Sequence, residues 1–169
     1  DYPLSGTNEL ISSIQQVSGV AAATPRLTFQ AQLSNGMDRI PCMGVGIQLQ
    51  GSDTDVFRIP QTVVEGDYLS GEDEGILLGS GIAEIFEVGP GDWLTVLAKT
   101  QYGAYEALDM PIVGLIGTGN PLIDRNSFLL PLPTAQYILA MDGSVTEIAV
   151  RFSATASESP TLARLAGTV

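Results

Sequence analysis

Three groups of residues are of a type and spacing that could do chemistry. Gly79-Ser80-Gly81 follows a short apolar run and opens a helical pattern. In that setting backbone N–H groups can cradle a phosphate. Glu72-Asp73-Glu74 and Asp53-Thr54-Asp55 offer the hard oxygen ligands that calcium takes. Two acids brought together would also support general acid–base hydrolysis of the glycosidase kind. Tyr102-Gly103-Ala104-Tyr105 places two aromatic side chains on one short tip between strand-like runs. Exposed tyrosines of that kind suit protein contacts.

Each group has a plainer role. In a dinucleotide fingerprint the third glycine would fall at Glu84, a charged residue where helix and strand pack closely, and no acid stands about 20 residues on to meet a ribose. Gly79 and Gly81 are therefore expected to serve positive φ or close packing. Neither acidic group follows a known calcium-loop spacing, and among 19 acidic residues a solvated turn is the expected role. Asp124-Arg125 reads as a local salt bridge or Asx-turn. The chain has no histidine and one cysteine. Ser-His-Asp and Cys-His nucleophiles are excluded, as are imidazole and cysteine zinc sites. Cys42 has no partner for an intrachain disulfide and is expected as a small buried apolar side chain. No catalytic residue, metal ligand or cofactor contact is expected, and the chain is not read as an enzyme. The partner-binding candidates are Tyr102, Gly103 and Tyr105, and their plainer role is one tyrosine packed on the lobe below and the other merely on the surface.

The bulk numbers fit this. A length of 169 residues suits one domain or two small lobes. Hydrophobic residues make up 44%, yet no run is long enough to cross a bilayer, and no signal peptide is expected at Asp1. Seven basic against 19 acidic residues give a net charge of −12. Nucleic acid is not an expected partner, because neutralising phosphates needs clustered lysine and arginine. Anionic lipid headgroups would repel the surface as well.

The positioning segments follow from periodicity. Asn8 to Val17 predicts a helix with Leu10, Ile11, Ile14 and Val17 on one face, ended by Gly19. Val20–Ser34 and Met37–Gln48 predict strands, joined at Asn35-Gly36, a strong hairpin signal. Polar breaks at 50–55 and 117–126 bound a segment, 51–118, expected to be an inserted and mostly β lobe. That lobe would hold a strand at Ile76–Leu78, a short helix with Ile82, Ile85 and Phe86, and a hairpin of Trp93–Ala98 with Ala107–Ile116. Residues 1–50 and 119–169 would form the other lobe. In it, Phe128–Leu132 is a strand, Pro133–Met141 a helix, Val145–Phe152 a strand, and Ser157 onward a last helix. The predicted class is α+β, a split ferredoxin-like, porter-like lobe carrying an inserted, mostly β second lobe.

Leu78-Gly79, Ala83, Val88 and Gly91-Asp92 with Leu94 form an ordered run. It resembles the periplasmic core domain of MacB-like and FtsX-like ABC transporter permeases, including the lipoprotein-releasing ones. The resemblance continues at Asn8–Ile14, Gly19–Arg26, Met43–Ile47, Val64–Leu69, Met110–Gly119, Pro131–Leu139 and Val145–Val150, and spans roughly residues 7 to 165. It implies an extracytoplasmic domain set between two membrane spans, with a further strand ahead of Asp1. The implied location is the periplasmic or extracellular face of the inner (plasma) membrane. The implied role is coupling ATP-driven membrane motion to export or release of a lipophilic or peptide-like substrate: a lipoprotein, lipid, drug or peptide. The implied partners are a second permease subunit, identical or different, a cytoplasmic ATPase, and a periplasmic adaptor or carrier. Permeases that recruit a soluble carrier hold a longer, proline-rich loop where this chain has Lys99–Glu106, which weighs against direct recruitment here. The competing readings are a free-standing small-ligand sensor and an acid–base hydrolase. Three expectations follow for the structure. The chain ends should lie together, Trp93 should be at least partly buried and anchor the short helix through Ile82 or Phe86, and the Tyr102–Tyr105 tip should lie far from the lobe carrying the ends.

Overall fold

The computed structural model describes residues 7–51, 57–71 and 74–153. Among these the chain forms α1 (Thr7–Gln15), β1 (Val20–Ser34), β2 (Arg39–Ile47), a 3-10 turn (Ile59–Thr62), β3 (Val63–Gly66) and β4 (Ile76–Gly79). It continues with α2 (Ser80–Phe86), β5 (Trp93–Lys99), β6 (Tyr105–Ile116), α3 (Pro121–Asp124), β7 (Ser127–Pro131), α4 (Leu132–Leu139) and β8 (Glu147–Phe152). The expected last helix, the Asp53–Asp55 and Glu72–Asp73 acids, and both chain ends lie outside the described residues.

The β1–β2 turn forms as its sequence dictates. Gly36 takes φ +91°, and Asn35 Oδ1 accepts from the N–H groups of Met37 and Asp38 at 3.0 and 2.8 Å. From that turn β1 and β2 pair antiparallel, with Leu27 opposite Gly46 and Ser34 opposite Arg39. β2 runs parallel to β7, β7 antiparallel to β4, β4 parallel to β6, and β6 antiparallel to β5. β5 then returns to β1, with Ala31 opposite Ala98. Six strands are thus hydrogen-bonded in a closed ring. Upstream of Leu27, β1 leaves the ring and pairs with β8, from Val20 opposite Phe152 to Arg26 opposite Glu147.

The inner face of the ring is one apolar core. Strand alternation sends Leu27, Phe29, Ala31 and Leu33 of β1 inward, with Leu94, Val96 and Ala98 of β5, Met110 and Ile112 of β6, and Phe128 and Leu130 of β7. Phe29 and Phe128 meet edge to face, with centroids 6.1 Å apart. α4 adds Leu132, Ala135, Ile138 and Leu139 to the same core. β4 is buried on both faces. Ile76 and Leu78 join this core, whereas Leu77 joins a second cluster with Leu69 and Ile116. Its unbroken Ile-Leu-Leu run reflects that double burial.

This topology moves the seam of the molecule. Strands from the two sides of the expected boundaries at 50/51 and 118/119 hydrogen-bond to one another, β1 with β5 and β7 with β4. β1, β2 and β7, expected in the first lobe, are built into the ring with β4, β5 and β6 of the 51–118 segment. The pairing changes within β1, between Arg26 and Leu27. The layer outside the ring is α1, the first half of β1, and β8. There Gly19 O accepts from the Ser153 N–H at 2.9 Å, which ties the start of β1 to the end of β8.

Trp93 is a second correction, because it is 62% exposed. β5 buries Leu94, Val96 and Ala98, so the alternate row of Trp93, Thr95, Leu97 and Lys99 faces outward. Ile82 and Phe86 are buried without it. Trp93→Ala should therefore change unfolding free energy by less than about 1 kcal/mol, the range of surface positions, against ~3–5 kcal/mol for a core Trp. Denaturant titration measures this directly.

Two further outcomes test the core. A Cβ on Gly44 would overlap the Phe29 ring that lies across from it. Gly44→Ala should destabilise by about 1–3 kcal/mol through overpacking, seen as a lower denaturation midpoint with unchanged slope. Burial pushes the Cys42 thiol up from 9.0 to about 12, partly opposed by its backbone hydrogen bond. The neutral thiol is favoured in the native state, so this stabilising effect is intact below pH 9.0 and is lost as pH rises toward about 12. At neutral pH a thiol reagent should label Cys42 only after unfolding.

Candidate partner-binding surface

The signature run is built for close approach and turn closure. Gly79 has φ −58°, and neither Gly79 nor Gly81 has a positive φ, so conformational freedom is not what they supply. A Cβ on Gly79 would overlap the Asp124 carbonyl, and one on Gly81 would overlap the Arg125 side chain. The β4–α2 turn passes directly beneath the α3 turn, and only glycine fits there. Asp124 Oδ1 accepts from both the N–H and the hydroxyl of Thr118 at 2.8 Å, and Asn120 caps α3 through the Leu122 N–H. Asp124 is thus a loop clamp.

At the far end of α2, Glu87 takes φ 55° and ends the helix. Gly91 takes φ +95°, and Asp92 Oδ2 accepts from the Gly89 N–H at 2.8 Å. Gly91 N–H donates to Ile112 O and Ile112 N–H to Asp92 O, both at 2.8 Å. The Gly-Asp pair therefore launches β5 in register with β6. Among the described residues, no group of three or more Cys, Asp or Glu side chains converges to hold a metal.

The β5–β6 hairpin ends in the tip that carries Tyr102, Gly103 and Tyr105. Thr100 N–H donates to Ala104 O at 2.7 Å, and Gly103 N–H to Thr100 O at 3.0 Å. Gly103 holds φ +87°, which makes the turn and leaves no side chain at its corner. Tyr102 is 82% exposed and Tyr105 74%. The expected position at a far pole is corrected. Gln101 N–H donates to Leu139 O at 2.9 Å, and Gln101 Nε2 donates to Ala140 O. Those carbonyls belong to the last turn of α4, where helical partners run out. The tip is clamped against that helix end, beside the connection leading to β8. Both tyrosines project from a fixed backbone.

Below Tyr105 a groove of about 710 Å³ crosses the outer face of β2, β1 and β5. Gln30 and Gln32 form its floor, Met43 and Leu97 its apolar patches, and Arg39 and Lys99 its charged rim. Sequence reasoning missed this groove and missed Tyr137, which is 68% exposed on α4. The signal for Tyr137 was present. With Leu132, Ala135, Ile138 and Leu139 on the buried stripe, helical spacing turns position 137 outward.

The chain matches other proteins over most of its length. It is 32% identical over 131 residues to the lipoprotein-releasing system transmembrane protein LolE of Haemophilus influenzae, a match covering 75% of this chain and 31% of that protein. The chain thus spans about a third of that relative's length. The extracellular domain of the noncanonical ABC-type transporter YknZ from Gram-positive bacteria superposes with a TM-score of 0.64 at 14% identity, covering 91% of this chain and 76% of that one. The periplasmic region of MacB from Actinobacillus actinomycetemcomitans superposes with a TM-score of 0.63 at 15% identity, covering 98% and 72%. The mixed α/β sheet is thereby the porter-like fold of those domains. Residues 2–167 match the MacB-like periplasmic core domain, and the chain belongs to that family of ABC transporter permease domains.

Proposed function

We propose that this chain is the periplasmic part of a permease subunit that couples ATP-driven movement of membrane helices to release or export of a lipophilic or peptide-like cargo. The observation that carries the reading is the joining of the two layers by a single strand. The first half of β1 pairs with β8, and its second half is built into the ring that holds the hairpin. Gly19 and Ser153 are hydrogen-bonded to each other, so the start of β1 and the end of β8 meet at one place. A displacement applied there reaches the tip through continuous ladders. No helix among the described residues is long and apolar enough to cross a membrane. On this reading the chain does no chemistry of its own. Its partners are a second permease subunit, a cytoplasmic ATPase, and an adaptor or carrier on the outer side. The likeness to LolE supports a lipidated protein as cargo.

The contact surface we assign is the Tyr102–Gly103–Tyr105 tip. Tyrosine brings large area with little rotamer loss, and the Gln101 clamp lowers the cost of ordering the loop. Replacing Tyr102 and Tyr105 together with Ser should leave the melting temperature nearly unchanged, because both side chains are in solvent. The same pair of changes in the intact transporter should impair cargo release at normal expression. Lost stability with normal release would contradict the assignment.

A further inference from the structure

The outward row of the β5–β6 hairpin and the exposed side of α4 enclose a second groove, of about 480 Å³ and open to solvent. Trp93 and Pro111 line one wall, and Pro133 and Tyr137 the other. Glu74 and Asp109 stand in it, and no lysine or arginine lines it among the described residues. The Asp109 carboxylate is oriented by the Thr95 hydroxyl, which donates to Oδ1 at 2.6 Å. The larger groove, on β2, β1 and β5, carries the opposite charge, Arg39 and Lys99. The two surfaces are therefore electrostatically distinct.

An exposed tryptophan beside an exposed tyrosine is unusual on a solvated surface, and neither supports the core. Indole is the best aromatic face for a cation, and adjacent carboxylates strengthen that preference. Aromatic walls interleaved with proline also suit an extended, proline-containing chain. The groove lacks the enclosure that a small molecule needs. We propose that this groove binds an extended polypeptide segment bearing lysine or arginine. Trp93 and Tyr137 stack on the segment, and Glu74 and Asp109 meet its charges. The chain's net charge of −12 draws such a segment in from a distance. This surface is separate from the Tyr102–Tyr105 tip, and the proposal does not rest on the reading given to the tip.

Trp93 is the only tryptophan, so its fluorescence reports on the groove alone. The 169-residue chain is titrated with a synthetic peptide alternating proline and lysine, and separately with its proline–glutamate counterpart. The lysine peptide should give a saturable change that weakens as salt is raised, and the glutamate peptide none. The double variant Glu74→Gln, Asp109→Asn should bind at least about tenfold more weakly, and so should Tyr137→Ser, with circular dichroism unchanged for both. The absence of a saturable change with the lysine peptide would overturn the proposal. So would an equal response to both peptides, or full affinity in both variants.

Discussion

β1 is the constraint on which the rest depends. It is 15 residues long and pairs with three strands, whereas a typical strand has about 5–6 residues. Leu27 to Ser34 bond β2 along one edge, and Ala31 to Ser34 bond β5 along the other, which closes the ring. Closure leaves those strands without open edges, the usual risk of a sheet this size. It also makes register unforgiving. A one-residue slip of β1 would send Leu27, Phe29 and Leu33 to solvent and bring Gln30 and Gln32 inside. The tight Asn35-Gly36 turn sets that register at one end, and the pairing with β8 sets it at the other.

A small closed ring leaves little room inside, and glycines mark the narrow places. Gly44 faces the Phe29 ring, and Gly46 faces Ala135 and Leu132 of α4. Gly79 and Gly81 let the β4–α2 turn slide under α3, and Gly114 of β6 lies against the backbone of Glu65 and Asp67. The run that first suggested the family is therefore a set of steric requirements. Its glycines allow close approach, and its Gly-Asp pair closes the turn that starts β5. These demands come from the fold, which is why that run identifies the architecture while carrying no cargo chemistry.

Local physics was well written in the chain. The α1 helix, the Asn35-Gly36 hairpin, the buried β4 run and the β5–β6 hairpin all appear close to where periodicity puts them, although Leu10 of the expected α1 face is 41% exposed and Val17 lies beyond the helix. Errors arose where non-local pairing decides. The size of Trp93 favours burial, yet β5 reads equally well in either phase. Leu94, Val96 and Ala98 take the inside, and Lys99, in phase with Trp93, was the clue. The polar break at 117–126 connects β6 to β7 through α3, and both strands belong to the same ring. Nothing local says that β5 returns to β1 or that β7 lies between β2 and β4. The tip was placed far away for the same reason, since the Gln101 bonds to Leu139 and Ala140 join residues far apart in sequence. Of the candidate surface, the two tyrosines were legible. The grooves were not, because each is lined by strands that only the closed ring brings together.

The central claim is that β1 joins the ring and the outer layer into one mechanical body. Native-state hydrogen exchange of the β1 amides between Val20 and Ser34 tests it most directly. One shared opening free energy is expected for the half paired with β8 and the half built into the ring, equal to that of global unfolding. If the amides before Leu27 opened as a separate unit, several kcal/mol below those of the ring, the two layers would be independent bodies. The proposed transmission from Gly19 and Ser153 to the hairpin tip would then be contradicted.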